Sequence, residues 1–280
     1  TEASSEEKDS KIYDGKLAEH MSLYAALPSA APNPENEITP AKIKLGHALY
    51  YDTRMSLTGN NSCNSCHNLN TYGVDNLPTS PGDLGQNGER NSPTTLNAAL
   101  HTSQFWDGRM KDVEEQAGGP VLNPVEMNMP SEKDVEKRLS EIDLYKQLFA
   151  EAYPGDKNPF TYTNMRNAIG VFERQLLTPS RFDAYMKGDK SALTLQEKKG
   201  MLSFTLIGCT SCHNGPLLGG NQMQRFCVPK PSWEATGSEK HDKGLAEQTD
   251  DEFDNYMFKV PSLRNIDKTH PYFHDGSVSD

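Results

Sequence analysis

Cys63-Asn64-Ser65-Cys66-His67 places two thiols and an imidazole within five residues. Cys-x-x-Cys-His is the attachment pattern of a c-type haem, in which the two thiols form thioether bonds and the His reaches the iron as proximal ligand. The pattern returns as Cys209-Thr210-Ser211-Cys212-His213. A bare Cys-x-x-Cys pair can also be half of a zinc site or a thioredoxin-like redox pair. Zinc asks for four ligands per site, and a redox pair has no use for the following His. The repeated His therefore points to two covalent haems, with Cys63, Cys66, His67, Cys209, Cys212 and His213 holding them.

The stretch Gln104 to Met129 supplies the next candidates: Trp106, Gln116, Pro120 and a Glu126 flanked by apolar residues. A lone Glu in such company is most often a surface or helix-end carboxylate. Beside an iron with an open sixth position it acquires another use, because cleaving the O–O bond of a peroxide needs a group that takes a proton from one oxygen and delivers it to the other. Val125, Met127 and Met129 would desolvate Glu126 and raise its pKa toward that task. Gln116 could hold bound peroxide by a hydrogen bond. Trp106 reads either as core packing or as an electron relay between two redox centres.

The elements that must position these groups are helical. Thr39-Pro40 reads as an N-cap and first helical position for Ala41 to Tyr51, and Ser131 as the cap of Glu132 to Glu141. Thr161 or Thr163 opens a helix with an apolar stripe at Met165, Ile169, Phe172 and Leu176. Thr194 and Glu197 form a capping box leading to Ile207, and Gly208 ends that helix just before the second motif. A shorter helix is expected within Leu17 to Leu27. Residues 68 to 93 and 215 to 280 are Gly- and Pro-rich and read as ordered loops, with no strand pairs at regular spacing. The expected class is mainly α, two cytochrome c-like helical domains each wrapped on one haem, with much irregular structure. The expected divisions are a flexible, polar leader over residues 1–16, an N-terminal haem domain over 17–160 and a C-terminal haem domain over 161–280.

Four of the five cysteines are taken by haem, so Cys227 has no disulfide partner and reads as a small buried apolar residue. A net charge of −11 argues against nucleic acid and against an anionic membrane surface. No apolar run is long enough to span a bilayer. Covalent haem attachment takes place outside the bacterial cytoplasm, so the chain reads as a mature periplasmic protein.

Taken with the two haem motifs, YYDTRMS, RNSPTTLNA, QFWDGR, EEQAGGPVLNPVEM, KVPSLRN and PYFHDGSV resemble the bacterial di-haem cytochrome c peroxidase family from about Thr39 through Asp280. The resemblance implies a peroxidatic N-terminal haem and a C-terminal haem that takes electrons from a small cytochrome c or cupredoxin, with hydrogen peroxide as substrate. It implies His67 and His213 as proximal ligands, Glu126, Gln116 and Pro120 in the distal pocket, and Trp106 between the haems. It further implies a calcium ion held by Asn91 with the carbonyls of Thr269 and Pro271, and a His274 that contacts a haem propionate. A homodimer is the candidate assembly. The alternatives are a MauG-type enzyme that matures a tryptophylquinone in another protein, and a di-haem electron carrier without catalysis.

Two positions depart from the family. Many members carry a His that blocks the peroxidatic iron until reduction, where this chain has Asp83. An Asp is a poor ligand there, and Gly82 and Gly85 would let its loop move, so the first haem is expected to be open unless His101 substitutes. The Met that ligates the second haem in the family would fall after Asp280, which leaves Met257 as the best alternative, although core packing is its commoner role. The oxidised protein is accordingly expected to show high-spin iron by optical or paramagnetic-resonance spectroscopy, and a spectrum of low-spin iron alone would overturn the open site.

Overall fold

Side-chain caps start most of the longer helices where the sequence places them. The computed structural model of the chain describes residues 4–226 and 230–279. Helix α1 (Ser5–Ala18) begins on a Ser4 cap, and α2 (Pro40–Tyr50) begins where Thr39 Oγ1 accepts the Lys42 N–H at 3.2 Å. The single turn α3 (Cys63–Cys66) carries both thiols of the first motif. Two further short helices follow, α4 (Val113–Gln116) on an Asp112 cap and α5 (Gly119–Leu122). Then come α6 (Glu132–Ser140), capped by Ser131, α7 (Asp143–Ala152) and α8 (Tyr162–Glu173), capped by Thr161. Helix α9 (Arg181–Met186) leads to α10 (Leu195–Ile207), whose Thr194–Glu197 capping box forms and whose end is Gly208 at φ +96°. The tail holds α11 (Ser232–Thr236), α12 (Ala246–Thr249) and a small antiparallel pair, β1 (Met223–Arg225) with β2 (Met257–Lys259). The chain is thus mainly helical, and the strand pair is an addition to the expected pattern. Among the described residues no helix is long and apolar enough to cross a membrane.

The main core forms around α2, α7 and α8, where Leu45, Leu49, Tyr50, Phe149, Met165, Ile169 and Phe172 are buried. Each such side chain contributes about 1.5–3 kcal/mol. The backbones of α2 and α8 come so close that a Cβ on Gly46 would lie 1.9 Å from the Ala168 carbonyl oxygen, so only glycine fits. The apolar stripe of α8 therefore joins the same core as α2. The helix expected to open the second domain at residue 161 packs instead in the first haem motif's half of the molecule.

The early residues pack the other way. Residues 1–16 were expected to form a mobile leader and Leu17 to Leu27 a helix; instead Ser5–Ala18 is the helix, and a short 3-10 turn at Met21–Leu23 follows it. Leu17 is fully buried against Tyr185 and Leu202. The Asp14 carboxylate accepts from Lys198 Nζ at 2.9 Å and from the Tyr185 hydroxyl at 2.8 Å, and Lys198 also donates to Ser10 Oγ. Charged residues that read as a solvated tether are thus the ones that dock the helix on α10. Further along, Tyr24 Oη lies 2.6 Å from Thr205 Oγ1, and the Leu27 N–H donates to Asp183 Oδ1 at 2.6 Å. Residues from Leu17 to Leu27, expected in the N-terminal domain, join the elements around the second motif. Cys227 lies outside the described residues.

One buried ion pair links these parts. Arg174, one residue past α8, donates from Nε and a terminal nitrogen to the Glu114 carboxylate on α4, both at 2.7 Å, and a third nitrogen donates to the Ala31 carbonyl. Asn36 donates to the same carboxylate at 3.0 Å. Breaking a buried pair leaves an uncompensated charge, typically at a cost of 3–5 kcal/mol. Arg174→Met is therefore expected to lower stability by about 3–5 kcal/mol, read as a shifted urea-unfolding midpoint, and an unchanged midpoint would show that the pair does not hold α4 to α8.

Candidate active site

The first motif opens onto a cavity of about 620 Å³ lined by Cys63, Cys66, His67, Arg90, Trp106, Arg109, Gln116, Pro120, Glu126 and Glu173, among others. That volume is in the usual range of about 300–1,000 Å³ for cofactor and ligand sites. Residues dispersed over more than a hundred positions meet here because α3, the α4–α5 pair and the end of α8 converge. Tyr50, buried on α2, donates to the His67 carbonyl at 2.6 Å and sets the backbone of the motif.

The residues suit a covalent haem better than the alternatives. Burial pushes both thiols up, Cys66 to about 11, so neither is the resting thiolate of a reactive redox pair. Among the described residues no group of three or more His, Cys, Asp and Glu side chains is arranged to hold a metal ion. His67 has a buried Nδ1 without a hydrogen-bond partner, and burial lowers its pKa, which favours the neutral imidazole, the form able to ligate a metal. At the second motif, His213 Nδ1 faces the Leu218 carbonyl at 2.9 Å, which leaves Nε2 available as a ligand. Cys209 sits in a 3-10 turn that Cys212 closes, and Gln222 Nε2 donates to the Cys212 carbonyl at 3.0 Å.

Glu126 is presented by the turn after α5, closed by Glu126 N–H to the Asn123 carbonyl at 3.0 Å and Met127 N–H to the Pro120 carbonyl at 3.1 Å. Burial raises its pKa, while the Arg109 charge and the Asn123 side chain pull it partly back. Met127 and Met129 are buried as expected, whereas Val125 is 39% exposed and screens little. Gln116 ends α4 and Pro120 lies in the first turn of α5, so the three expected distal residues share one wall of the cavity.

Trp106 lines the same cavity and donates its indole N–H to the Asn91 carbonyl at 2.9 Å. Its backbone carbonyl accepts from the Lys259 N–H at 2.7 Å, which ties it to β2. His274 is buried, stacks on Phe258 at 4.2 Å and meets Trp106 edge-on at 6.4 Å. Asn91 donates its N–H to the His274 carbonyl at 2.7 Å and its side-chain amide to the Leu77 carbonyl at 3.0 Å, while Asn76 donates to the Lys268 and His270 carbonyls, the residues flanking Thr269. His101 does not line the first cavity; its Nδ1 lies 3.0 Å from Lys259 Nζ and its Nε2 is buried without a partner. Met257 is part of β2, paired with Arg225.

Asp83 is likewise absent from the cavity lining. Its buried carboxylate accepts the backbone N–H groups of Thr58 at 2.7 Å and Asn60 at 3.2 Å. Gly82, expected to give its loop freedom, instead permits contact, since a Cβ there would lie 2.2 Å from the Val125 carbonyl oxygen.

Three site residues escaped the sequence reading. Arg109 stacks its guanidinium 3.4 Å from the Phe105 ring centroid and pairs with Asp107, and its place in QFWDGR was the available signal. Arg90 binds Asp107, Asp242 and Glu247 and closes one side of the cavity. Glu173 is buried in the cavity wall, with its pKa pushed up to about 8 by burial and by neighbouring Glu114. Nothing in the spacing of α8 distinguishes it from a surface Glu.

Comparison with known proteins gives the family. The chain is 45% identical over 86% of its length to the cytochrome c551 peroxidase of Pseudomonas aeruginosa, covering 69% of that protein. It is 43% identical over 90% of its length to the cytochrome c551 peroxidase of Nitrosomonas europaea, covering 73% of that one. A solved MauG-like protein associated with microbial copper homeostasis superposes with a TM-score of 0.81 at 28% identity, over 91% of this chain and 77% of that one. The family model described as di-haem cytochrome c peroxidase matches residues 40–191, and with these relatives it establishes that the chain belongs to the di-haem cytochrome c peroxidase family.

Proposed function

We propose that this cytochrome c peroxidase reduces hydrogen peroxide to water in the cavity above His67, with Glu126 as the acid/base. Two covalent haems would be held, one by Cys63, Cys66 and His67 and one by Cys209, Cys212 and His213, the second serving as the entry for electrons. When bound, haem supplies an iron centre that accepts electrons one at a time and binds an oxygen of the peroxide. The protein's part is proton handling and placement. The Glu126 carboxylate would take a proton from one oxygen of the peroxide and deliver it to the other as the O–O bond breaks, so that the second oxygen leaves as water. Overall, one peroxide, two electrons and two protons give two waters. The Gln116 amide donates a hydrogen bond to the peroxide, Pro120 walls the pocket, and Trp106 carries electrons between the two centres.

The observation that carries this reading is the meeting of His67, Gln116, Pro120 and Glu126 in one cavity. The electrons would come from a small periplasmic cytochrome c or cupredoxin; a basic donor surface suits the net charge of −11. The MauG-type alternative shares the haem motifs and the Glu, and slow turnover with a reduced small cytochrome would favour it. Calcium would sit among oxygen donors at Asn91, Thr269 and Pro271, a donor type that suits this hard cation. Its removal by a chelator is expected to lower the melting temperature and the activity, with recovery on adding calcium; no change in either would remove the ion from the account.

Glu126→Gln is expected to reduce steady-state peroxide turnover about 10²-fold or more. The sign of the pH dependence follows from burial: a raised pKa means that the base form is lost as pH falls through a value above the ordinary carboxylate range. Wild-type turnover should therefore decline on that acid limb and the variant should lack it. Full turnover by Glu126→Gln would exclude Glu126 as the acid/base.

A further inference from the structure

We propose that Asp83 is a positioning residue for Glu126: its carboxylate fastens the 80–88 loop to the chain entering the first haem motif, and that loop fixes the turn that presents Glu126. The inference rests on the acid/base reading of Glu126 given above. On one side, the Asp83 carboxylate accepts the N–H groups of Thr58 and Asn60 at 2.7 and 3.2 Å, and Asn61 Nδ2 donates to the Pro81 carbonyl at 2.9 Å. These residues run directly into Ser62 and Cys63. On the other side, the Asp83 N–H donates to the Glu126 carbonyl at 2.7 Å and Gln86 Nε2 to the Pro124 carbonyl at 2.6 Å. Gly82 rests against the Val125 carbonyl, with room for no side chain. The loop closes on itself through Gly82 N–H to the Gln86 carbonyl at 2.7 Å.

The 80–88 loop therefore holds the Pro124 and Glu126 carbonyls by hydrogen bonds and packs against that of Val125. Beside the Asn61–Pro81 bond, its tie to residues 58 and 60 on the other side is the Asp83 carboxylate, in a residue that is 4% exposed. The two amides need an acceptor, and an ionised carboxylate is a strong one. Burial alone would raise the Asp83 pKa, but donors at Ser56, Thr58 and Asn60 hold it below its ordinary value, so the group is charged throughout the working range. Without it the Thr58 and Asn60 amides lose their acceptor, the loop loses its tie to residues 58–60, and the turn holding Glu126 is freed on one side. A misplacement of about 1 Å in a catalytic group can cost on the order of 10² in rate.

The test is a double-mutant cycle on the haem-loaded protein with Asp83→Ala, Glu126→Gln and the combination, joined to amide hydrogen exchange of the 123–128 segment. Asp83→Ala is expected to lower kcat about tenfold to a hundredfold with a smaller change in KM. It is also expected to speed exchange in that segment at least about tenfold. The double variant should be no slower than Glu126→Gln alone, because a residue acting through Glu126 has nothing left to position. Asp83→Asn, which keeps one acceptor oxygen, should recover part of kcat and serves for the whole cycle if Asp83→Ala does not fold. Additive losses, or unchanged exchange at residues 123–128, would overturn the proposal. If Glu126→Gln alone keeps full activity, the acid/base reading fails, and exchange still reports whether Asp83 holds the turn.

Discussion

Two ionised groups buried against each other, Arg174 and Glu114, decide how the first half of this molecule is assembled. Neither can be left in the interior without the other, so α4 must lie at the end of α8, and α8 in turn is pressed on α2 at Gly46. Part of the cavity lining rests on that arrangement. Gln116 ends α4, Pro120 begins α5, the Glu126 turn closes back on Pro120, and Tyr50 on α2 reaches the His67 carbonyl. The charge pair and the close helix crossing lie behind the cavity wall and hold α4, α8 and α2 together.

The electrostatics of the cavity are graded by burial and by neighbours. Glu114 is held below its ordinary pKa although burial opposes this, because Arg174 and Asn36 donate to it. Glu173 sits beside that pair, is deeply buried, and is pushed up to about 8. Glu126 is raised by burial and partly pulled back by the Arg109 guanidinium. Three carboxyl groups of one chemical kind are thus shifted differently by their surroundings, and two of them, Glu126 and Glu173, line the cavity.

Much of this was legible in the sequence, and what was not has a common cause. The two Cys-x-x-Cys-His motifs, the Thr39, Ser131, Thr161 and Thr194 caps and the cluster from Trp106 to Glu126 are local patterns, and each falls where its spacing places it. The departures depend on partners far away in the chain. A run of charges over residues 5–16 looks like a solvated tether until Asp14 meets Lys198. The α8 stripe looks like the opening of a new domain until it meets α2. Asp83 looked merely like an absent ligand, and Gly82 like a hinge, because the Thr58 and Asn60 amides and the Val125 carbonyl that engage them are set by the fold. The roles of Arg109 and Glu173 likewise depend on what surrounds them.

The docking of α1 on α10 has a consequence for the order in which the chain can assemble. Lys198 and Asp14 are 184 residues apart, and Tyr24 and Thr205 are 181 apart. The first half, from α2 to α8, is continuous in sequence and can gather its core from near neighbours. The second half is stitched from both ends, so its closure waits for nearly the whole chain and carries the larger loop entropy. A protein emerging N-terminus first would present α1 with nothing to pair with until α10 follows, and the second haem-motif turn begins where α10 ends.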